Sequence, residues 1–225
     1  RAMVDDQFRY IVTPNVDHLV KLHRATSASW YQSYRNAVAA ADLRLNDSRI
    51  LKRLASFSKL DLPLVPGSDL TAQIVARRIA VDRKIALIGG GDPDAIWLRQ
   101  NSGATEVVHF EPPMGVLQNP AAQQAIVDFV ESSRAHLVLF AIGAPQSEIV
   151  AHQIAQKADA RGVALCIGAS VEFLTGAKQR APLAMQKLGL EWAFRLLSEP
   201  RRMWRRYLVE GPKIFAIWRE WESGL

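Results

Sequence analysis

Three short stretches carry residue types that could do chemistry. In "LRLNDSRIL" (43–51) an apolar run ends in Asn46-Asp47-Ser48, just before a segment with helical spacing. A carboxylate there either caps the helix by accepting an orphan backbone N–H or stands at the mouth of a site to remove a proton. In "LIGGGDPD" (87–94) glycines lead into a predicted helix, a turn that could cradle a diphosphate on backbone amides. Gly89 and Gly91 fit two positions of the dinucleotide fingerprint, but Asp94 takes the third, which argues against a nicotinamide site. Asp92 and Asp94 match the short carboxylate pair with which many sugar transferases hold a divalent cation. With Pro93 they equally read as the N-cap, N1 proline and first-turn acid of a helix. In "PRRMWRRYL" (200–208), roughly 100° per residue puts Met203, Trp204, Tyr207 and Leu208 on one arc and Arg201, Arg202, Arg205 and Arg206 on the other. Such a helix could pack on protein with a solvated basic face, lie on an anionic bilayer, or turn arginines onto a diphosphate.

These residues need positioning, and the surrounding pattern supplies it. Short β-type runs ("RYIVT", "DLRL", "IALIG", "EVVHF", "LVLFAIG", "VALCIG") alternate with helical stretches such as "VDHLVKLHRA", "DLTAQIVARRIA" and "PAAQQAIVDFVESS". The pattern predicts βαβ units: an α/β, Rossmann-like, mostly parallel sheet with helices on both faces. Ligands of such sheets bind outside the carboxyl ends of the strands, where "TPN", "NDS", "GGGDPD", "EPPMG", "APQSE" and "ASVEF" fall. The texture changes at residue 191. Residues 191–225 hold four of the six Trp and seven Arg/Lys against five Glu, and read as a helical appendage on a 1–190 core, broken at Gly211-Pro212.

Composition excludes several chemistries. The five histidines form no HExxH pair, a single cysteine allows no zinc cluster or internal disulfide, and no GxSxG elbow occurs. Cys166, in "VALCIG", reads as a small buried hydrophobe. What survives is a site of carboxylates and arginines. A net charge of +6 suggests an anionic partner, nucleotide, nucleic acid or membrane surface, and no nucleic-acid reader motif accompanies the basic patch. No apolar run approaches the ~20 residues needed to cross a bilayer, and no signal-peptide pattern opens the chain, so the cytoplasm is the expected compartment.

The blocks "TPN", "ADLRLNDS", "VPGSDL", "IALIGGG", "PPMG", "IGAPQSE", "IGASVEFLTGAKQRAP" and "LGLEWAFRLLSEPRRMWRRYL" together resemble the WecG/TagA/CpsF glycosyltransferases, in that family's order and over most of the chain. "TPNVDHLV" is similar to the exopolysaccharide members that resemble the GumM glucosyltransferase. The resemblance implies an inverting hexosyltransferase that uses no metal or other cofactor. Its donor would be a UDP-sugar (a hexose such as glucose, or an N-acetylmannosamine type), and its acceptor a polyprenyl-diphosphate-linked saccharide. It would work peripherally on the cytoplasmic membrane face, as a possible homo-oligomer. By the same resemblance Asp47 matches the catalytic base, and Thr13 and Asn15 the polar pair beside it. The turns with Gly89, Gly90 and Gly91 and with Pro145, Ser147 and Glu148 would flank the nucleotide, and Arg195, Arg202, Arg205 and Arg206 would meet the diphosphate. Departures from the family pattern are Ser48 for the usual Gly, Gln146-Ser147 within the common "PKQE", Leu64 for an Arg, and a longer stretch between Asn15 and Asp47. The rival classes are a non-catalytic lipid-linked-saccharide or membrane-binding module and a nucleotide-dependent oxidoreductase.

Overall fold

The computed structural model describes residues 7–23 and 28–224. They form six strands: β1 (Phe8–Val12), β2 (Leu43–Arg44), β3 (Lys84–Ile88), β4 (Glu106–Phe110), β5 (Leu137–Phe140) and β6 (Gly162–Cys166). The α-helices are α1 (Val16–His23), α2 (Trp30–Ala40), α3 (Arg49–Phe57), α4 (Gly67–Ala76), α5 (Asp92–Asn101), α6 (Pro120–Ser133), α7 (Gln146–Ala155), α8 (Ser170–Leu174), α9 (Leu183–Leu188), α10 (Glu191–Ser198), α11 (Pro200–Trp204) and α12 (Lys213–Ser223). A π-helical stretch, Arg205–Glu210, joins α11 to α12. The helix expected over "VDHLVKLHRA" is α1; Arg24 and Ala25 lie outside the described residues, as does Leu225 of the appendage.

The chain divides into two compact units. The larger takes in the described parts of Arg1–Thr13, Ser27–Leu45 and Pro66–Lys178. Its sheet has the order β2-β1-β6-β5-β3-β4, and every pairing is parallel. The expected α/β fold is therefore borne out, with a wholly parallel sheet. Side chains alternate across it. Tyr10, Val12, Ala86, Ile88, Val138, Phe140 and Ala164 pack with α6 and α7 residues such as Ile126, Val130, Val150 and Ile154. Ile85, Leu87, Leu137, Leu139 and Leu165 pack with Ile74 of α4, Leu98 of α5 and Val171 of α8 on the opposite face. Burial on both faces is why these strands read as near-continuous apolar runs. Helix α2 fills the extra length between Asn15 and Asp47, and buries Tyr34, Ala37 and Val38.

The smaller unit takes in the described parts of Pro14–Thr26, Asn46–Val65 and Gln179–Leu225. Its core is Val20, Leu51, Leu54 and Ile214, flanked by Val16, Leu19, Ile50, Leu62, Ile217 and Trp218. Thus α12 packs with α1 and α3. Polar ties add to this: the Trp218 indole donates to Ser58 Oγ at 2.8 Å, and Ser58 Oγ donates to Glu222 at 2.6 Å.

Candidate active site

In the larger unit all strands end on one edge, and the connections after β3 and β5 leave in opposite directions. β3 leads outward to β4 and β5 inward to β6, so a topological switch point lies between them. That is where open parallel sheets bind ligands. The two turns expected beside a nucleotide flank it. Gly89 and Gly90 both have positive φ (79° and 71°). A Cβ on Gly89 would stand 2.6 Å from Ile142 Cγ2, so only glycine allows the turn after β5 to come this close. Gly91 has ordinary backbone and is itself the N-cap of α5, one residue earlier than expected. Asp94, 3% exposed, accepts from the Gly91 N–H at 3.0 Å and from Thr175 Oγ1 at 2.8 Å. Asp92 instead faces His109 Nδ1 at 3.3 Å. The two carboxylates are thus employed separately in starting a helix, and among the described residues no group of three His, Cys, Asp or Glu could hold a metal ion.

The second turn contains Gly143, at φ 75°, and Pro145 as N-cap of α7. Ser147 is buried and its hydroxyl donates to Gly143 O at 2.9 Å, so it serves the helix start. Glu148 is buried one residue further on, in the unit's interior. Burial, and then the Glu148 carboxylate, push the Cys166 thiol well up, which fits an inert core residue. Thr13, directly after β1, is buried with its hydroxyl donating to Cys166 O at 2.9 Å.

In the smaller unit three expected residues gather around the start of α1. Asn15 begins the helix: its Oδ1 accepts from the Asp17 N–H at 3.0 Å and its backbone O from the Leu19 N–H at 3.1 Å. The cap uses only the carboxamide oxygen. Asp47 is held beside this corner, its N–H donating to Pro14 O at 2.8 Å. Its neighbour Asn46 is clamped by Val65 N–H on its backbone O (2.9 Å) and by its own Nδ2 on Pro63 O (3.3 Å). Asp47 is not the cap of α3. That role belongs to Ser48, whose Oγ accepts from the Leu51 N–H at 3.2 Å, so the departure from glycine has a structural use. Asp47 itself is half-buried and follows an extended segment.

The arginines behave differently from one another. Arg206 reaches α1, with Nη2 3.6 Å from Asp17 Oδ2. Arg202 pairs with Glu199 at 2.7 Å and is exposed, Arg205 is exposed, and Arg195 is half-buried on α10. Of the apolar arc expected over 200–208, only part is buried. Met203 is buried, whereas Trp204 and Leu208 are 51% and 56% exposed and share the outside with Arg201, Arg202 and Arg205. A π-helical turn follows Trp204, and in it Gly211 N–H donates to Arg206 O at 2.8 Å, five residues back.

A model of the glycosyl transferase WecG/TagA/CpsF family matches residues 1–223. The chain belongs to that family. It is therefore a glycosyltransferase, and the resemblance in the motif blocks holds over the whole fold. A solved structure described as "The highly conserved domain of unknown function 1792 has a distinct glycosyltransferase fold" superposes with TM-score 0.48 at 9% identity, covering 78% of this chain and 79% of that one. That likeness is too loose to bear on the site.

In this glycosyltransferase two further groups stand at the expected positions without having been singled out from sequence. His109 ties the glycine turn together, its Nε2 3.2 Å from Gly89 O and its Nδ1 against Asp92. Asp17 joins α1 to Arg206. The sequence signal for His109 is a lone histidine inside a strand. For Asp17 it is an ordinary i,i+4 pair with Lys21, of the kind found on solvated helix faces.

Proposed function

We propose that this chain transfers a sugar from a UDP-sugar to a hydroxyl of a polyprenyl-diphosphate-linked saccharide, with inversion, at the surface of the cell membrane in bacterial polysaccharide assembly. The observation that carries the reading is the gathering of Asp47, Asn15 and Arg206 about the start of α1 in a chain of glycosyltransferase family membership. Displacement at an anomeric carbon needs those charges. Asp47 takes the proton of the acceptor hydroxyl as its oxygen attacks C1 from the face opposite the nucleotide. The C1–O bond to the diphosphate breaks, its electron pair leaves with UDP, and a single displacement inverts the centre. The guanidinium of Arg206 meets the negative charge that develops on the leaving diphosphate. Thr13 and Asn15 orient donor or acceptor, and the 89–92 and 143–148 turns border the nucleotide.

Attachment to the membrane would be peripheral. Among the described residues no helix is long and apolar enough to cross a bilayer. The smaller unit nevertheless exposes Leu197, Trp204, Leu208, Phe215 and Trp221 together with Arg201, Arg202 and Arg205. Aromatic and basic side chains in company suit an anionic interface. The test is a panel of UDP-sugars incubated with a short polyprenyl-diphosphate saccharide, with UDP release as readout and a chelator in a parallel set. One donor should be consumed, with or without chelator. No release from any donor sinks the transferase reading, and activity that vanishes in chelator and returns with manganese or magnesium sinks the metal-free mechanism.

A further inference from the structure

The charged cluster on α1 has a feature that the transfer reaction, as written above, leaves unused. Asp17 Oδ2 accepts from Lys21 Nζ at 2.8 Å and lies 3.6 Å from Arg206 Nη2, and its side chain is only 16% exposed. One carboxylate thus serves two cations, so the three groups together carry one positive charge in excess. Burial pushes the Asp17 carboxyl up, but the charges of Arg206 and Lys21 and the Lys21 hydrogen bond outweigh it, and it sits below the ordinary carboxylate value. Arg206 meets the carboxylate through a terminal nitrogen, Nη2. Arg206 Nε is buried and has no hydrogen-bond partner among the described residues. A buried donor without an acceptor costs free energy, and a carboxylate placed only to stabilise the guanidinium would engage it bidentately. The π-helical turn fixes the same side chain from its backbone: Gly211 N–H holds Arg206 O, and a Cβ on Gly211 would press to 3.1 Å of that oxygen.

We propose that Asp17 is a positioning residue for sugar transfer: it holds Arg206 through Nη2 so that the guanidinium, on a side chain 32% exposed, stays ordered for the donor diphosphate. The inference rests on the proposed role of Arg206 and adds the group that aims it. Lys21 steadies the Asp17 carboxylate from the next turn of α1 by donating to the same oxygen, Oδ2, that faces Arg206. The guanidinium is thereby ordered before the donor arrives, which lowers the cost of binding an anion.

The experiment is a double-mutant cycle on the full chain, read by UDP affinity in calorimetry and by turnover. Asp17→Asn and Asp17→Glu are each combined with Arg206→Ala; Asp17→Glu keeps the charge but moves it by one methylene, so a folded variant with a displaced carboxylate is in hand. Each Asp17 change should weaken UDP binding by about three- to tenfold when Arg206 is present and have no effect when it is absent, because groups in one network couple. Asp17→Glu should recover part of what Asp17→Asn loses. If Arg206→Ala weakens UDP binding but the Asp17 changes act equally with and without Arg206, the positioning role is wrong and the diphosphate role of Arg206 stands. If Arg206→Ala binds UDP as well as the unaltered chain, the diphosphate role fails and the positioning role falls with it.

Discussion

Replacing Asp47 by Asn separates chemistry from architecture at one position. The backbone ties and the helix cap there do not depend on the charge of the Asp47 carboxylate. The Asp47 N–H bond to Pro14 O, the clamp on Asn46, and the α3 cap by Ser48 Oγ all remain in the variant. With these ties kept, the variant should still fold and unfold cooperatively. An amide cannot take the acceptor proton, so turnover should fall by about 10²–10⁴. The neighbouring Ser48→Ala supplies the reverse pattern. It removes the cap and should cost about 1 kcal/mol, lowering the melting midpoint by roughly 2–4 °C in a chain of this size, while turnover at moderate temperature is largely kept. UDP release and thermal unfolding, measured side by side on the two variants, give a crossed result. Near-normal turnover by Asp47→Asn would refute the base assignment. A melting loss in Asp47→Asn larger than that of Ser48→Ala would instead return Asp47 to an architectural role.

Gly89→Ala should destabilise by about 1–3 kcal/mol and weaken UDP binding, because it combines positive φ with a clash against Ile142, whereas Gly91→Ala, whose Cβ would meet only Pro93 Cδ at 3.4 Å, should melt normally. Equal melting of the two variants would contradict the account of the turn. Asp17 has a folded-state pKa below its unfolded value, so its stabilisation is complete above the unfolded pKa and is lost as pH falls through the folded one. Urea titrations should therefore show a loss of stability below about pH 4 that is smaller in Asp17→Asn; identical slopes would rule this out. Replacing exposed Trp204 and Leu208 by Ser should weaken binding to anionic liposomes without moving the melting midpoint, and unchanged binding would remove this face from the membrane reading. Met203 is unsuitable for that test, since emptying its buried site costs about 2–5 kcal/mol by itself.

The sheet was legible because its central strands are buried on both faces and are closed by turn residues. "EVVHF" matches β4 residue for residue, and "RYIVT" is one position from β1. The position of Asp47 directly after an extended segment could also be read, as could the two turns at the switch point. Other features were hidden for definite reasons. The difference between Asp47 and Ser48 as cap, like that between Gly91 and Asp92, is one residue, and cap choice at that resolution depends on backbone angles rather than residue type. The arcs drawn for 200–208 assumed an α-helical period, and a π turn has no marker in composition beyond Gly211. The Asp17–Arg206 pair spans most of the chain, and nothing local on α1 announces it.

The strand order has a consequence for how the chain is made. β1 pairs with β6 along its full length, Phe8 opposite Gly162 through Val12 opposite Cys166. The second partner of β1 is the two-residue β2, so most of its backbone has no neighbour until β6 exists. Those strands lie roughly 150 residues apart in the chain, a separation that delays pairing and slows folding. A ribosome adding about 5–20 residues per second spends roughly eight to thirty seconds between them, with most of an apolar strand unpaired throughout. Nascent chains stalled before Cys166 should therefore be the species that aggregate or engage chaperones, and release past that point should end the exposure.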